Sequence, residues 1–130
     1  MKPILTFIGK VVSPLKTIEN CPLQEDENAP EVFIEVYSKY AEAVSGLKTG
    51  ARILIFTWLH KANRQTFTTH PRNDENAPVK GVFATRSPAR PNPIGIHVAE
   101  ILEIKDGHKI KISNLEVING TPVIDIKPYL

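Results

Sequence analysis

The 130-residue chain has one cysteine, one methionine and one tryptophan, and no long apolar run. The lone thiol, Cys21, forms no intrachain disulfide and supplies no Cys-pair zinc site. A bilayer-crossing helix needs roughly 20 consecutive apolar residues, and no stretch approaches that. The opening MKPILTFIGK lacks the apolar length and the small-residue cleavage site of a secretory signal. Histidines 60, 70, 97 and 108 fall at no ligand-type spacing, so no metal is expected. Gly-x-Gly-x-x-Gly, P-loop and Gly-x-Ser-x-Gly patterns are missing, and strands do not alternate with helices. Rossmann-type dinucleotide domains, doubly wound methyltransferases and serine hydrolases therefore drop out. What remains is one domain of 14.5 kDa, 42% hydrophobic and 23% charged, expected to be soluble and cytoplasmic with no membrane partner.

Helical periodicity is scarce and strand patterns abound. Residues 3–12, 31–37, 52–59, 94–104, 109–113 and 123–126 read as strands, with a further short one at Val82–Ala84. The run over 52–59 is nearly continuously apolar, as in a strand buried on both faces. In 94–104, Ile94, Ile96, Val98, Leu102 and Ile104 share one period-2 face, and Asp106-Gly107 predicts a hairpin turn. Residues 39–46 predict the one short helix, with Ser38 as N-cap and Gly46 or Gly50 as terminator. The expected architecture is mostly β: a small antiparallel β-barrel with one short helix, one domain over 1–130.

Proline, at 11 of 130 residues, exceeds the ~5% of ordinary chains, and five prolines lie between 71 and 93. Charge is also uneven. Residues 19–35 hold six acidic side chains and no Lys or Arg, whereas 61–90 hold six basic side chains against Asp74 and Glu75. Chance unevenness on a solvated surface produces such segments too. The irregular stretch 61–80 is longer than most loops. The pentapeptide DENAP occurs at 26–30 and 74–78, in two similar polar loops rather than a domain repeat.

Two segments carry chemistry. In GVFATRSPARPNPIG (81–95), Pro88, Pro91 and Pro93 stiffen a connector between strands. Arg86, Ser87, Arg90 and Asn92 are then held with little entropy left to lose on binding. Two guanidinium forks on a rigid loop suit an anionic ligand, or pair with the acidic segment. In NGTPVIDIKPYL (119–130), Asn119-Gly120 marks a turn whose amides, with the Thr121 hydroxyl, suit adenine or ribose polar atoms. Beyond it Asp125, Lys127 and Tyr129 project to one side of a strand. An acid, a base and a phenol on one face form either an active-site wall or a salt-bridged surface stripe.

These two motifs, with FIGKVVSP at 7–14 and AVSGL at 43–47, resemble the TsaA-like (TrmO) family of S-adenosylmethionine-dependent tRNA methyltransferases. The resemblance runs over essentially the whole chain. It implies a β-barrel homodimer that binds S-adenosylmethionine in a cleft near the subunit interface. It further implies N6-methylation of N6-threonylcarbamoyladenosine beside the tRNA anticodon. Motif matching assigns the cofactor to Pro22, Leu23 and Gln24, then His60 and Lys61, Arg86 and Ile96, and Val117, Ile118, Asn119 and Gly120. Asp125, Lys127 and Tyr129 are candidates for the acceptor side. Leu23 stands where the family has arginine, Lys61 where it has glutamine and Asn119 where it has aspartate. The family's C-terminal domain is not expected in this chain. The alternatives are a methyltransferase on a small molecule and a non-catalytic cofactor- or RNA-binding barrel.

Overall fold

Branched aliphatic side chains recurring at every second residue give each strand one face that must leave water. A computed structural model, describing residues 2–14, 32–71 and 74–130, shows how those faces meet. Its strands are β1 (Gly9–Val12), β2 (Val32–Val36), β3 (Arg52–Trp58), β4 (Thr68–Thr69), β5 (Lys80–Gly81), β6 (Ile94–Lys105), β7 (Lys109–Ile112) and β8 (Pro122–Pro128). Six of them close into a barrel in the order β1-β2-β7-β6-β3-β8, each neighbour antiparallel. Gly9 opposite Val123 and Lys10 opposite Pro122 make the closing seam. The mostly-β class is as expected.

The barrel interior is small, and branched side chains fill it. Ile34, Ile53, Ile55, Ile101, Ile110 and Ile112 are completely or almost completely buried, with Val11, Val32, Val36, Leu115 and Val123 around them. Deleting one such side chain, as in Ile55→Ala, costs about 2–5 kcal/mol because a closed ring collapses poorly onto a void.

Several local expectations change. The first strand begins at Gly9 rather than residue 3, and residues 2–7 are exposed outside the ladders. The strand β3 is not buried on both faces: Ile53, Ile55 and Thr57 point inward while Leu54, Phe56 and Trp58 lie half-buried on the outside. On β6 the apolar stripe Ile94, Ile96 and Val98 faces outward. The interior face is Gly95, His97, Ala99 and Ile101. A register shift between Ile101 and Glu103 then turns Ile104 back toward the core. The helix spans Ser38–Val44 and is 3-10 throughout, following Tyr37 without a side-chain cap, so Ser38 is not its N-cap. Val82–Ala84 forms a 3-10 turn instead of a strand. Asp106 (φ 54°) and Gly107 (φ 75°) make the expected hairpin, both left-handed as a type I′ turn requires. The long 61–80 stretch is tied down by β4 pairing with β5.

A polar chain runs through the apolar interior. Thr57 Oγ1 lies 2.8 Å from His97 Nε2, and His97 Nδ1 lies 2.8 Å from Glu116 Oε1. Thr57 and His97 are buried. Gly95 makes the room: a Cβ there would sit 2.5 Å from Thr57 Oγ1 and 2.6 Å from His97 Nε2. Gly95→Ala should therefore destabilise by about 1–3 kcal/mol through overpacking. Gly107→Asn, in a turn position that tolerates asparagine, should cost less than about 1 kcal/mol. Urea unfolding of both variants checks this; equal midpoints would contradict the steric account.

Candidate functional site

Antiparallel closure brings particular strand ends together. The strands β1 and β3 run toward one rim of the barrel, and β6 and β8 start from it, as the Trp58–Ile94 and Lys10–Pro122 pairs show. Three segments far apart in sequence therefore meet there: the turn after β3, the proline-rich connector before β6, and the turn before β8.

The first two are locked to each other. Leu59 N–H donates to Pro93 O at 2.8 Å, which fixes His60 and Lys61 beside the end of the connector. Arg64 reaches back with Nε to Pro91 O (2.7 Å) and Nη2 to Asn92 Oδ1 (3.3 Å), its guanidinium 5.0 Å above the Trp58 ring. His60 and Lys61 are themselves exposed.

The connector's carbonyls are tied together locally, and its two arginines do different work. Arg90 donates to Val82 O (2.7 Å), Ser87 O (3.1 Å) and Thr85 O (3.3 Å), so its guanidinium holds the loop's own carbonyls. The expectation that Arg90 is presented to a ligand is thus corrected. Arg86 is exposed and, among the described residues, makes one such bond, Nη2 to Ile96 O at 3.1 Å. That bond joins two residues assigned to the cofactor by motif, leaving a guanidinium with spare donors beside an apolar side chain that is 37% exposed.

The late turn is built into the barrel seam. Gly120 takes φ +87°, and Thr121 donates twice to Ile118 O, from N at 3.2 Å and Oγ1 at 2.7 Å. Gly120 N–H donates to Val11 O at 2.8 Å, and Ser13 N–H donates to Asn119 Oδ1 at 3.0 Å. Val117 and Ile118 are buried, so only their backbone can meet a ligand, while Asn119 and Gly120 are exposed. The Thr121 hydroxyl is buried and committed to Ile118, which corrects its assignment to a nucleoside. Pro22, Leu23 and Gln24 lie outside the described residues.

Asp125 and Lys127 lie on the outer face of β8, Tyr129 follows its last residue, and the three step away from the rim in that order. Asp125 opposes Phe56 and Lys127 opposes Leu54, and Tyr129 N–H donates to Arg52 O at the far end of β3. From Trp58 to Arg52 is about 20 Å at ordinary strand rise. Asp125 accepts from Ile126 N–H at 2.9 Å and stands 3.6 Å from Lys127 Nζ, and Arg52 covers the Tyr129 ring at 4.5 Å. Their neighbours on the outer face are Leu54, Phe56, Trp58, Ile94, Ile96 and Val98, a continuous apolar stripe across β3 and β6. Sequence reasoning missed this stripe, although the near-continuous apolar run of β3 was its signal. It also missed the Thr57–His97–Glu116 chain, which sequence spacing alone does not bring together. Among the described residues no three His, Cys, Asp or Glu side chains are grouped to hold a metal, and no helix is long and apolar enough to cross a membrane.

The chain matches the family model described as tRNA-methyltransferase O N-terminal domain over residues 10–130. A Methanothermobacter thermautotrophicus protein named probable S-adenosyl-L-methionine-binding protein is 40% identical over 122 residues, 94% of this chain and 86% of its own length. An Archaeoglobus fulgidus protein with the same name is 39% identical over 96% of this chain but only 33% of its own length. The Escherichia coli tRNA (adenine(37)-N6)-methyltransferase is 38% identical over 95% of this chain and 56% of its own. The crystal structure of TrmO from Pseudomonas aeruginosa has a TM-score of 0.78 at 27% identity, covering 100% of this chain and 57% of that one. This chain thus spans about a third of the Archaeoglobus protein and just over half of the Escherichia coli enzyme. With the match running from β1 to the last residue, the chain belongs to the tRNA-methyltransferase O N-terminal domain family.

Proposed function

We propose that this chain is the S-adenosylmethionine-binding barrel of a tRNA adenine-N6 methyltransferase, with the cofactor held at the rim described above. The observation that carries this reading is convergence. The turn at His60–Lys61, the Arg86–Ile96 contact and the Asn119–Gly120 turn meet at one end of the barrel. The relatives named for S-adenosylmethionine binding and for tRNA adenine methylation support it.

The residues present suit the cofactor. Arg86 keeps donors for a carboxylate, Ile96 offers apolar surface, and the late turn offers backbone polar groups at an exposed glycine. When bound, S-adenosylmethionine supplies an electrophilic methyl group on a sulfonium. The chain's own task is to orient the acceptor amine in line with that methyl and to exclude water. The acceptor we propose is N6-threonylcarbamoyladenosine beside the anticodon.

Asp125, Lys127 and Tyr129 face outward from the barrel, and Tyr129 sits at the end of β3 opposite their own rim. We assign them to the acceptor side through a homodimer. The apolar stripe that borders them is the surface a second copy would cover, and such a copy would bring them against another rim. A second reading, a barrel that binds S-adenosylmethionine without turnover, is favoured by the relatives named for binding alone.

Incubation with methyl-labelled S-adenosylmethionine and threonylcarbamoylated tRNA separates the readings. Label in tRNA is expected; saturable binding without transfer would favour the binding barrel, and label only in small molecules would contradict the tRNA assignment. Asp125→Asn and Tyr129→Phe should lower transfer by roughly 10- to 100-fold with cofactor affinity unchanged. Sedimentation should give a dimer. A monomer with full activity would overturn the shared site.

A further inference from the structure

The Thr57–His97–Glu116 chain resembles a hydroxyl–imidazole–carboxylate relay, but Thr57 is fully buried, so no substrate reaches its hydroxyl. Its placement indicates a different task. Thr57 is on β3, His97 is on β6, and Glu116 is in the segment between β7 and β8, one residue before the rim turn begins at Val117. We infer that His97 is a positioning residue: through Glu116 it holds the Val117–Gly120 turn in the conformation that receives the cofactor. This inference rests on the assignment of the cofactor to the rim.

Three observations carry it. First, the imidazole has no freedom to rotate. Both ring nitrogens are engaged at 2.8 Å. A carboxylate only accepts, so Nδ1 donates to Glu116, and Nε2 is bonded to the Thr57 hydroxyl, which can donate or accept. Second, the chain has given up packing to keep this arrangement. Gly95 has no side chain where a Cβ would strike both Thr57 Oγ1 and His97 Nε2. Among the described residues Glu116 Oε2 is buried and meets no hydrogen-bond partner, a cost that an apolar side chain in its place would avoid. Third, the turn is anchored on its other side by seam bonds from Gly120 to Val11, from Val11 to Thr121 and from Ser13 to Asn119. Glu116 supplies the anchor on the β6 side, so Val117–Gly120 is held from both flanks. A polar link that costs stability and ends at a binding turn is the pattern expected where local structure serves a site.

Glu116 is the residue to change, because it is partly exposed and its loss leaves the apolar core intact. In Glu116→Ala the amides of Val117–Gly120 should exchange hydrogen about tenfold faster or more, while amides of β3 and β7 stay protected. Affinity for S-adenosylmethionine should fall by a similar factor, the loss expected for one charge-assisted hydrogen bond. Glu116→Gln keeps an acceptor for His97 Nδ1–H and should restore both quantities to within a few-fold. Thr57→Val should give a weaker version of the alanine effect. Failure of the unmodified protein to bind S-adenosylmethionine would sink the rim assignment. Unmodified protein that binds, with Glu116→Ala binding equally well, would sink the positioning role alone. A uniform rise in exchange across the barrel, or no rescue by glutamine, would also overturn it.

Discussion

The sharing of β3 between two partners is the constraint on which the rest depends. Arg52–Trp58 pairs with β6 along one edge and with β8 along the other. An unpaired backbone group inside a protein is costly, so a strand with both edges satisfied leaves its neighbours little freedom to slide. The register places Trp58 beside Ile94, and Thr57 beside Val123 and Gly95. Once those pairs are set, the turn after β3, the connector before β6 and the turn before β8 have to meet. The proline connector then needs only local bonds, with Arg90 gathering its carbonyls and Arg64 clasping its end. Rigidity at the rim follows from closure of the ring plus these few clasps.

Closure also determines where apolar side chains go when there are more of them than the interior can hold. The barrel takes one face of each strand, and the remaining branched and aromatic side chains of β3 and β6 are left outside as one stripe. On a lone barrel such a stripe is wasted surface. In the homodimer proposed above it would become an interface, with the Asp125–Lys127 and Arg52–Tyr129 pairs as its polar border. The same strand thereby serves the interior, the rim and the outer face.

Much of this was legible in the residues. A β-branched and aromatic run located β2, period-2 alternation located β7 and the length of β6, and Asp106-Gly107 and Asn119-Gly120 marked turns correctly. Direction was not legible: Ile94, Ile96 and Val98 read as a typical buried face, yet Gly95, His97 and Ala99 are the residues inside. A one-residue choice of register swaps the two faces, and only the pairing with β3 decides it. Likewise Arg86 and Arg90 look equivalent in sequence, and only the fold shows that one is consumed by backbone carbonyls. The Thr57–His97–Glu116 chain depends on contacts 40 and 19 residues apart, beyond the reach of any local pattern.

The proposed function rests on the rim receiving S-adenosylmethionine. Amide chemical shifts followed during titration with S-adenosylmethionine test it most directly. The largest changes should fall on His60, Lys61, Arg86, Ile96, Asn119 and Gly120, with little change along β2 and β7. Changes confined to the outer face of β8, or spread evenly over the barrel, would contradict it.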